Sequence, residues 1–337
     1  MCIRDRGNAF ARWRHGGEDA DRLTGEQFQG LVVTGLSQGA MYGLIALGYS
    51  MVYGVLGFIN FAHGEVFMVG AFTGFIMSNK LDEAGYWEGG AFFASVLFTV
   101  VVATLVAMAI AVIIERVAYR PLRGSPRLIP LITSIGVSFF IQNAVILVFG
   151  PGAKSYPSNP DWLQARYTPL NLEGTKMVVI VVAAISMASL WYFVERTKTG
   201  KAMRAVAEDK EIASLMGINV NRTIVTTFAV GGAMAGIAGI LWGLLFRSVI
   251  ATTGFLPGIK AFTAAVVGGV GNLGGAMAGG VSLGSAEALA PLVLLEPLGV
   301  TGPSQLRDAV AFTLLILVLL VKPTGLFGER LSSEDRA

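Results

Sequence analysis

Nine apolar stretches of roughly membrane-spanning length recur along the chain, at 31–52, 55–77, 91–114, 128–149, 177–193, 224–246, 259–280, 281–295 and 304–321. An α-helix needs about 20 mainly apolar residues to cross a hydrocarbon core about 30 Å thick. Backbone groups in lipid must be paired internally, which leaves helices or a closed β-barrel as the spanning forms. Barrel strands alternate apolar and polar residues, and residues 178–186 and 314–321 do not alternate. The pattern therefore predicts an all-α integral membrane protein, a polytopic bundle of about 8–10 transmembrane or re-entrant helices.

Glycine modifies this pattern. Residues 266–280 read V-V-G-G-V-G-N-L-G-G-A-M-A-G-G. Each Gly lowers helix propensity by about 1 kcal/mol relative to Ala, so broken or re-entrant helices are expected there, lining cavities where they lie at membrane depth. Within this run Gly269-Val270-Gly271-Asn272-Leu273-Gly274 matches G-x-G-x-x-G. No β-α-β unit surrounds it, so close backbone packing is a better account than a dinucleotide site. Gly232-x-x-x-Gly236 and Gly239-x-x-x-Gly243 are spaced to let helices approach closely.

Composition agrees with the membrane reading: 54% of residues are hydrophobic and 14% charged, with a mean hydropathy of +0.65, whereas soluble domains carry about 25% charge. The net charge of +3 gives no reason to expect nucleic acid. Cys2 is the only cysteine, which excludes an intramolecular disulfide and a Cys-based metal cluster. No signal peptide is expected, because the segment starting at Leu31 is too long for an h-region and no A-x-A site follows. Residues 1–28, opening Met1-Cys2-Ile3-Arg4-Asp5-Arg6, differ in character and are expected to be a disordered or artefactual extension. Residues 29–321 form the transmembrane domain, and 322–337 a short cytoplasmic tail.

Loop charge orients the bundle. Arg116, Arg120, Arg123 and Arg127 place loop 115–127 in the cytoplasm, and six basic residues do the same for loop 195–223. The acidic loop 79–90 and the loop 150–176 then lie outside. A conflict remains before residue 79: a basic N-terminus favours inside, yet two crossings from inside would put Asn79 inside as well. Either the chain starts outside or one early segment does not fully cross.

Three polar features interrupt the apolar pattern. Gly57-Phe58-Ile59-Asn60-Phe61-Ala62-His63-Gly64-Glu65 places an Asn, a His and a Glu in an apolar run. A carboxylate there costs about 2.5–3.5 kcal/mol on insertion scales, unless it faces protein or water. On a helix turning about 100° per residue, Glu65 lies nearly opposite His63, whereas Gly57 and Gly64 make a local break equally plausible. The stretch reads either as a translocation path or as helix–helix hydrogen bonding at a helix end. Gln38, Asn60, His63, Glu65 and Glu287 are the path candidates. Loop 195–223 predicts a short helix over 201–216, capped by Gly217. Its apolar face is broken by Glu208 and Asp209, which suits a socket on a protein partner better than a lipid surface. Finally, no G-x-x-x-x-G-K-[S/T], H-E-x-x-H or G-x-S-x-G occurs, and His15 and His63 are the only histidines. Neither a catalytic nor a metal site is expected, and nucleotide-driven work would need another chain.

Specific residues carry a resemblance. Gly48-Tyr49-Ser50-Met51-Val52-Tyr53-Gly54 precedes Ile59-Asn60-Phe61-Ala62-His63-Gly64-Glu65; Ile114-Glu115-Arg116-Val117-Ala118-Tyr119-Arg120-Pro121, Ala207-Glu208-Asp209 and Ala213-Ser214-Leu215-Met216-Gly217-Ile218-Asn219 follow. Lys260-Ala261-Phe262-Thr263-Ala264-Ala265-Val266 and Ala286-Glu287-Ala288 complete the set. Over roughly 29–328 the chain resembles the LivH-type permease subunits of branched-chain amino acid ABC importers. Glu211-Ile212-Ala213 with Gly217 approximates the E-A-A-x-x-x-G coupling signature of importer permeases, with Ile in place of its middle Ala.

The resemblance implies an ABC importer permease fold in the bacterial inner membrane, doing no covalent chemistry. It also implies a second permease subunit of LivM type, two ATPase subunits holding ATP and Mg²⁺, and a periplasmic amino-acid-binding protein; this chain holds no cofactor. Arg204, Glu208, Asp209, Glu211, Ala213 and Gly217 become the ATPase-coupling candidates, and lipid surrounds the rest. Two rivals stand beside branched-chain amino acid import: a permease for urea or short amides within the family, and an ion-coupled secondary transporter. A membrane enzyme lacks the clustered acid–base groups it would need.

Overall fold

The structure, a computed structural model, describes residues 25–126, 128–167, 172–295 and 303–328. Its helices are α1 (Gly25–Leu56), α2 (His63–Glu83), α3 (Phe92–Ile114), α4 (Leu128–Phe149), α5 (Asp161–Gln164), α6 (Gly174–Arg196), α7 (Lys198–Glu208), α8 (Lys210–Leu215), α9 (Val220–Phe246), α10 (Phe255–Gly268), α11 (Leu273–Ala290) and α12 (Arg307–Val321). Two-residue strands form two small antiparallel pairs: β1 (Lys154–Ser155) with β4 (Ser248–Val249), and β2 (Arg166–Tyr167) with β3 (Leu172–Glu173). Most of the expected N-terminal extension lies outside the described residues.

Among the described residues six helices are long and apolar enough to cross a membrane: α1, α3, α4, α6, α9 and α11. Among the described residues α2, α10 and α12 complete a nine-helix bundle, α10 and α12 being only 14 and 15 residues long. Two expected segments are corrected. The run 259–280 is not one span, because α10 ends at Gly268 and the chain turns through Gly269 (φ 108°) and Gly271 (φ 91°). These are conformations that glycine adopts without steric cost. Asn272 then caps α11, its Oδ1 accepting from the Gly275 N–H at 2.9 Å, so the second half of that run and 281–290 form a single helix. The run 55–77 likewise starts late: α1 ends at Leu56, Gly57 turns the chain (φ 76°), and α2 begins only at His63.

The core lies along α1, α2, α9, α10 and α11, and is knit by small residues. Gly39 on α1 faces Gly280 and Val281 on α11, where a Cβ would come within 2.8 Å of backbone. Gly232 and Gly236 on α9 sit against Ala103, Ala107 and Ala111 of α3. Those alanines continue a buried line from Ser95 and Thr99 with four-residue spacing, so the line lies along one helix face. Without a hydrophobic drive between helices in lipid, such seams supply the dispersion contacts that hold a bundle together. The remaining surfaces of α3, α4 and α6 expose large apolar side chains such as Leu105, Phe140 and Val181.

The last turns of α1 (Ser50, Met51, Gly54) line one cleft of about 530 Å³ with Arg204 and Glu208 of α7. So α1 ends on the side of the bundle that carries the basic loop 195–223. The chain then climbs back: the Phe61 N–H reaches Ser134 Oγ on α4 at 3.3 Å, and His63 packs over Gly48, about 12 Å from the end of α1. α2 thus begins inside the membrane and runs outward to the acidic loop.

Candidate functional site

The start of α2 meets the start of α10 at membrane depth, and glycines make the contact possible. A Cβ on Gly64 would lie 2.5 Å from Gly254 O, one on Gly254 2.4 Å from Gly64 O, and one on Gly258 3.0 Å from the Gly64 Cα. Beside this junction lies a cavity of about 260 Å³ lined by Tyr49, Phe61, Glu65, Ile135, Ser138, Phe139, Gly254, Phe255, Gly258 and Ile259. Its walls are mostly apolar. Ile135, Phe139 and Phe255 extend from it onto the exposed surface of the chain.

Glu65 is the charged group of this cavity and is 1% exposed. Its Oε1 accepts from Gln142 Nε2 at 2.7 Å and from Ser138 Oγ at 3.0 Å, both on α4. Its Oε2 has no hydrogen-bond partner and faces Gly254, where a Cβ would sit 2.7 Å away. Glu65 also occupies the first turn of α2, where the helix dipole favours a negative charge.

Of the five path candidates, only Glu65 is brought to this cavity. Asn60 is spent on the turn before α2: its Oδ1 accepts from the Ala62 N–H at 3.1 Å and from the Tyr119 hydroxyl at 2.5 Å. His63 lies between Gly48 of α1 and Gly231 of α9, edge-on to Tyr49 at 4.9 Å. It points away from Glu65, as the helical offset requires. Glu287 is held by Lys260 Nζ at 3.1 Å and by the Tyr42 hydroxyl at 3.2 Å, and Lys260 also reaches Asp308 at 2.6 Å. That cluster ties α1, α10, α11 and α12 together. Gln38 is half-buried on α1 and does not line the cavity.

The coupling region also differs from expectation. The single helix over 201–216 is two helices, because Asp209 is extended (φ −151°, ψ 118°) and caps α8, accepting from the Glu211 and Ile212 N–H groups at 2.7 and 2.9 Å. Asp209 is thus a local structural group. Arg204 pairs with Glu195, while Glu208 and Glu211 are exposed. Ala213 is buried, and Gly217 takes φ 82° as a C′ residue, with the Ile218 N–H bonding Ala213 O at 3.0 Å. Ile212, Leu215 and Met216 are left at the surface, 59%, 86% and 77% exposed.

In the loop after α4, Tyr156 fills the space left by Gly74 and Gly243 and donates to Ala71 O. Burial holds its phenol well above the ordinary value, so it stays a neutral donor. Sequence reasoning missed Ser138, Gln142, Gly254, Gly258 and Lys260. Lys260 and the polar positions 138 and 142, one helical turn apart in an apolar helix, were the available signals.

The family described as "Branched-chain amino acid transport system / permease component" matches residues 31–319. The high-affinity branched-chain amino acid transport system permease protein LivH of Escherichia coli K12 is 44% identical over 299 residues, covering 88% of this chain and 94% of that protein. BraD of Pseudomonas aeruginosa, of the same description, is 43% identical over 307 residues, covering 88% and 95%. A probable LivH of Methanocaldococcus jannaschii is 28% identical over 296 residues, covering 85% and 88%. The chain belongs to the branched-chain amino acid transport permease family.

Proposed function

We propose that this chain is the transmembrane permease subunit of an ATP-driven importer that carries branched-chain amino acids across the bacterial inner membrane. The observation that carries the reading is near-full-length identity to LivH and BraD, at 44% and 43%. The geometry supports it in two places. A small, mainly apolar cavity with one carboxylate sits where two helices start at membrane depth, the arrangement by which membrane transporters place polar groups around a substrate. On the cytoplasmic side, α8 presents exposed Ile212, Leu215 and Met216 flanked by Glu208 and Glu211, a surface suited to an ATPase groove.

In this reading a second, LivM-like permease faces the open side of the cavity. Two ATPase subunits bind ATP and Mg²⁺ and dock on α7 and α8, and a periplasmic binding protein delivers the amino acid. The permease itself performs no covalent chemistry. Nucleotide binding switches it between states only to the extent that its partners bind those states unequally.

The test is reconstitution of the complex in proteoliposomes. Uptake of labelled leucine that requires ATP and binding protein is the expected result. Uptake driven by an ion gradient without ATPase subunits would replace this reading with a secondary transporter. Uptake of urea or acetamide in preference to leucine would keep the machine and change its cargo.

A further inference from the structure

We infer that Glu65 Oε2 is a cation-recognition point, which takes the ammonium end of the transported amino acid as it passes the membrane midplane. The inference rests on the permease reading and adds to it the polarity with which the substrate is held.

Three observations converge on a negative charge lacking a positive partner among the described residues. First, the groups that touch Oε1, Ser138 Oγ and Gln142 Nε2, are both donors, the set a carboxylate accepts from. Second, Glu65 lies in the first turn of α2 while Oε2 abuts Gly254, at the start of α10. The positive ends of two helices therefore favour the charged form. Third, Oε2 is buried without a hydrogen-bond partner among the described residues, and Glu65 is one of the residues lining the cavity. The lysine carried by α10, Lys260, is turned to Glu287 and Asp308 instead. A buried charge persists when it is paired and hydrogen-bonded, and the described residues offer Oε2 no such partner.

The cavity also fixes which cation fits. Phe61, Ile135, Phe139 and Ile259 provide apolar walls, and among the described residues no second carboxylate lines the space. A metal ion would find one carboxylate and the side-chain hydroxyls of Tyr49 and Ser138, whereas hard cations such as Mg²⁺ and Ca²⁺ take six or more oxygens. A primary ammonium on a short branched aliphatic body matches both halves of the site. Since the binding protein selects the cargo before delivery, this contact need only be weak, which keeps release fast.

The experiment uses the whole complex without the binding protein. With Cys2 replaced by Ser, Ile135→Cys supplies one thiol at the cavity wall and Leu215→Cys one on α8, far from it. Labelling by a small methanethiosulfonate is timed with leucine, isoamylamine, which lacks the carboxylate, or isocaproate, which lacks the amine. Leucine and isoamylamine at about twice their dissociation constants should slow labelling at position 135 by about three-fold, by mass action. Isocaproate should not slow it, and none of the three should affect position 215. Glu65→Gln keeps an acceptor for Ser138 and should abolish the protection, while Glu65→Asp keeps the charge and should retain part of it. Protection by isocaproate equal to that by the amine, or unchanged protection in Glu65→Gln, would overturn the inference. ATP-driven leucine uptake by the same complex plus binding protein separates the two levels. Uptake without amine protection removes the ammonium subsite and leaves the permease reading; amine protection without uptake does the reverse.

Discussion

Lys260 and Glu287 make a sharp energetic prediction because they are buried unequally with respect to their alternatives. The Lys260 and Glu287 side chains are 10% and 2% exposed, whereas Asp308, the other partner of Lys260, is 53% exposed. Lys260→Met strands Glu287 with only the Tyr42 hydroxyl. Removing one member of a buried pair costs about 3–5 kcal/mol, because the other charge is left without compensation. Glu287→Gln is milder: Lys260 keeps Asp308, Gln still accepts from Tyr42, and the loss is about one charge-assisted hydrogen bond, about 1.5–3 kcal/mol. Combining Lys260→Met with Glu287→Gln removes the stranded charge and should recover about 2 kcal/mol relative to Lys260→Met alone. The measurement is reversible SDS unfolding of the purified permease, followed by tryptophan fluorescence, for all four proteins. Lys260→Met within about 0.5 kcal/mol of the parent, the range of an ordinary surface change, would refute the assignment. So would strictly additive effects, since groups in contact should couple.

Three further outcomes follow from the geometry. Asp209→Ala should remove the α8 cap at a cost of about 1 kcal/mol and lower leucine-stimulated ATPase activity of the complex, whereas Asp209→Asn, which keeps the cap without the charge, should leave activity near normal; equal loss in both would assign Asp209 to a charge contact instead. Gly236→Val should destroy the α3–α9 seam, because a Cβ there meets Ala107 Cβ at 2.9 Å and Ala103 O at 3.0 Å, while Gly136→Ala, with open space around it, should be silent in size-exclusion profiles of the purified protein. In a Cys2-free chain, Asn60→Cys and His63→Cys should resist water-soluble thiol reagents in every nucleotide state, because both positions are packed inside the subunit, whereas Phe139→Cys should react in at least one; reaction at 60 or 63 would return those residues to the path.

Helix existence was legible in the sequence because an apolar run of sufficient length has few other fates in lipid. Helix ends inside the membrane were not. The run 55–77 looks continuous by hydrophobicity, and only Gly57 and the polar triplet mark the place where α1 stops and α2 starts late. The glycine-dense run at 266–280 gave away its break, though not that the break would fall at 269–272 and leave one short helix before it. Among polar residues, sequence showed that Asn60, His63 and Glu65 are costly, but not which of them meets a cavity. That depends on α4, which supplies Gln142 and Ser138 from more than seventy residues away in the chain. Glu287 could not be separated from Glu65 for the same reason, since its Lys260 partner comes from a different helix. Asp209 was legible as acidic but not as the cap of α8, because an N-cap and an exposed docking charge leave the same trace in an acidic, helix-forming loop.

The same chemistry explains why the site sits where it does. A helix that begins in the membrane leaves its first N–H groups without intrahelical partners, a cost that lipid cannot relieve and protein must. The turns before α2 and α10 meet part of this need, the His63 and Glu65 N–H groups bonding Asn60 O and Ala62 O and the Phe255 N–H bonding Thr252 O, while Gly64, Gly254 and Gly258 remove the side chains that would hold the two starts apart. Two positive helix ends brought together then call for a negative charge, and Glu65 supplies it from within the first turn. Two donors on α4 fix one oxygen of that charge and leave the other unpartnered against Gly254, beside the cavity. α10 is in turn anchored through Lys260 to α11 and α12, and its far end is held by the tail, where the Leu326 and Phe327 N–H groups bond Val267 O at 2.8 Å and Gly268 O at 3.0 Å. The carboxylate therefore stands between α4, whose outer surface is exposed, and a short helix fastened at its sides and its far end. Any relative movement of those two elements changes the surroundings of the charge, which is the coupling a transporter needs between its conformation and its hold on a cationic group.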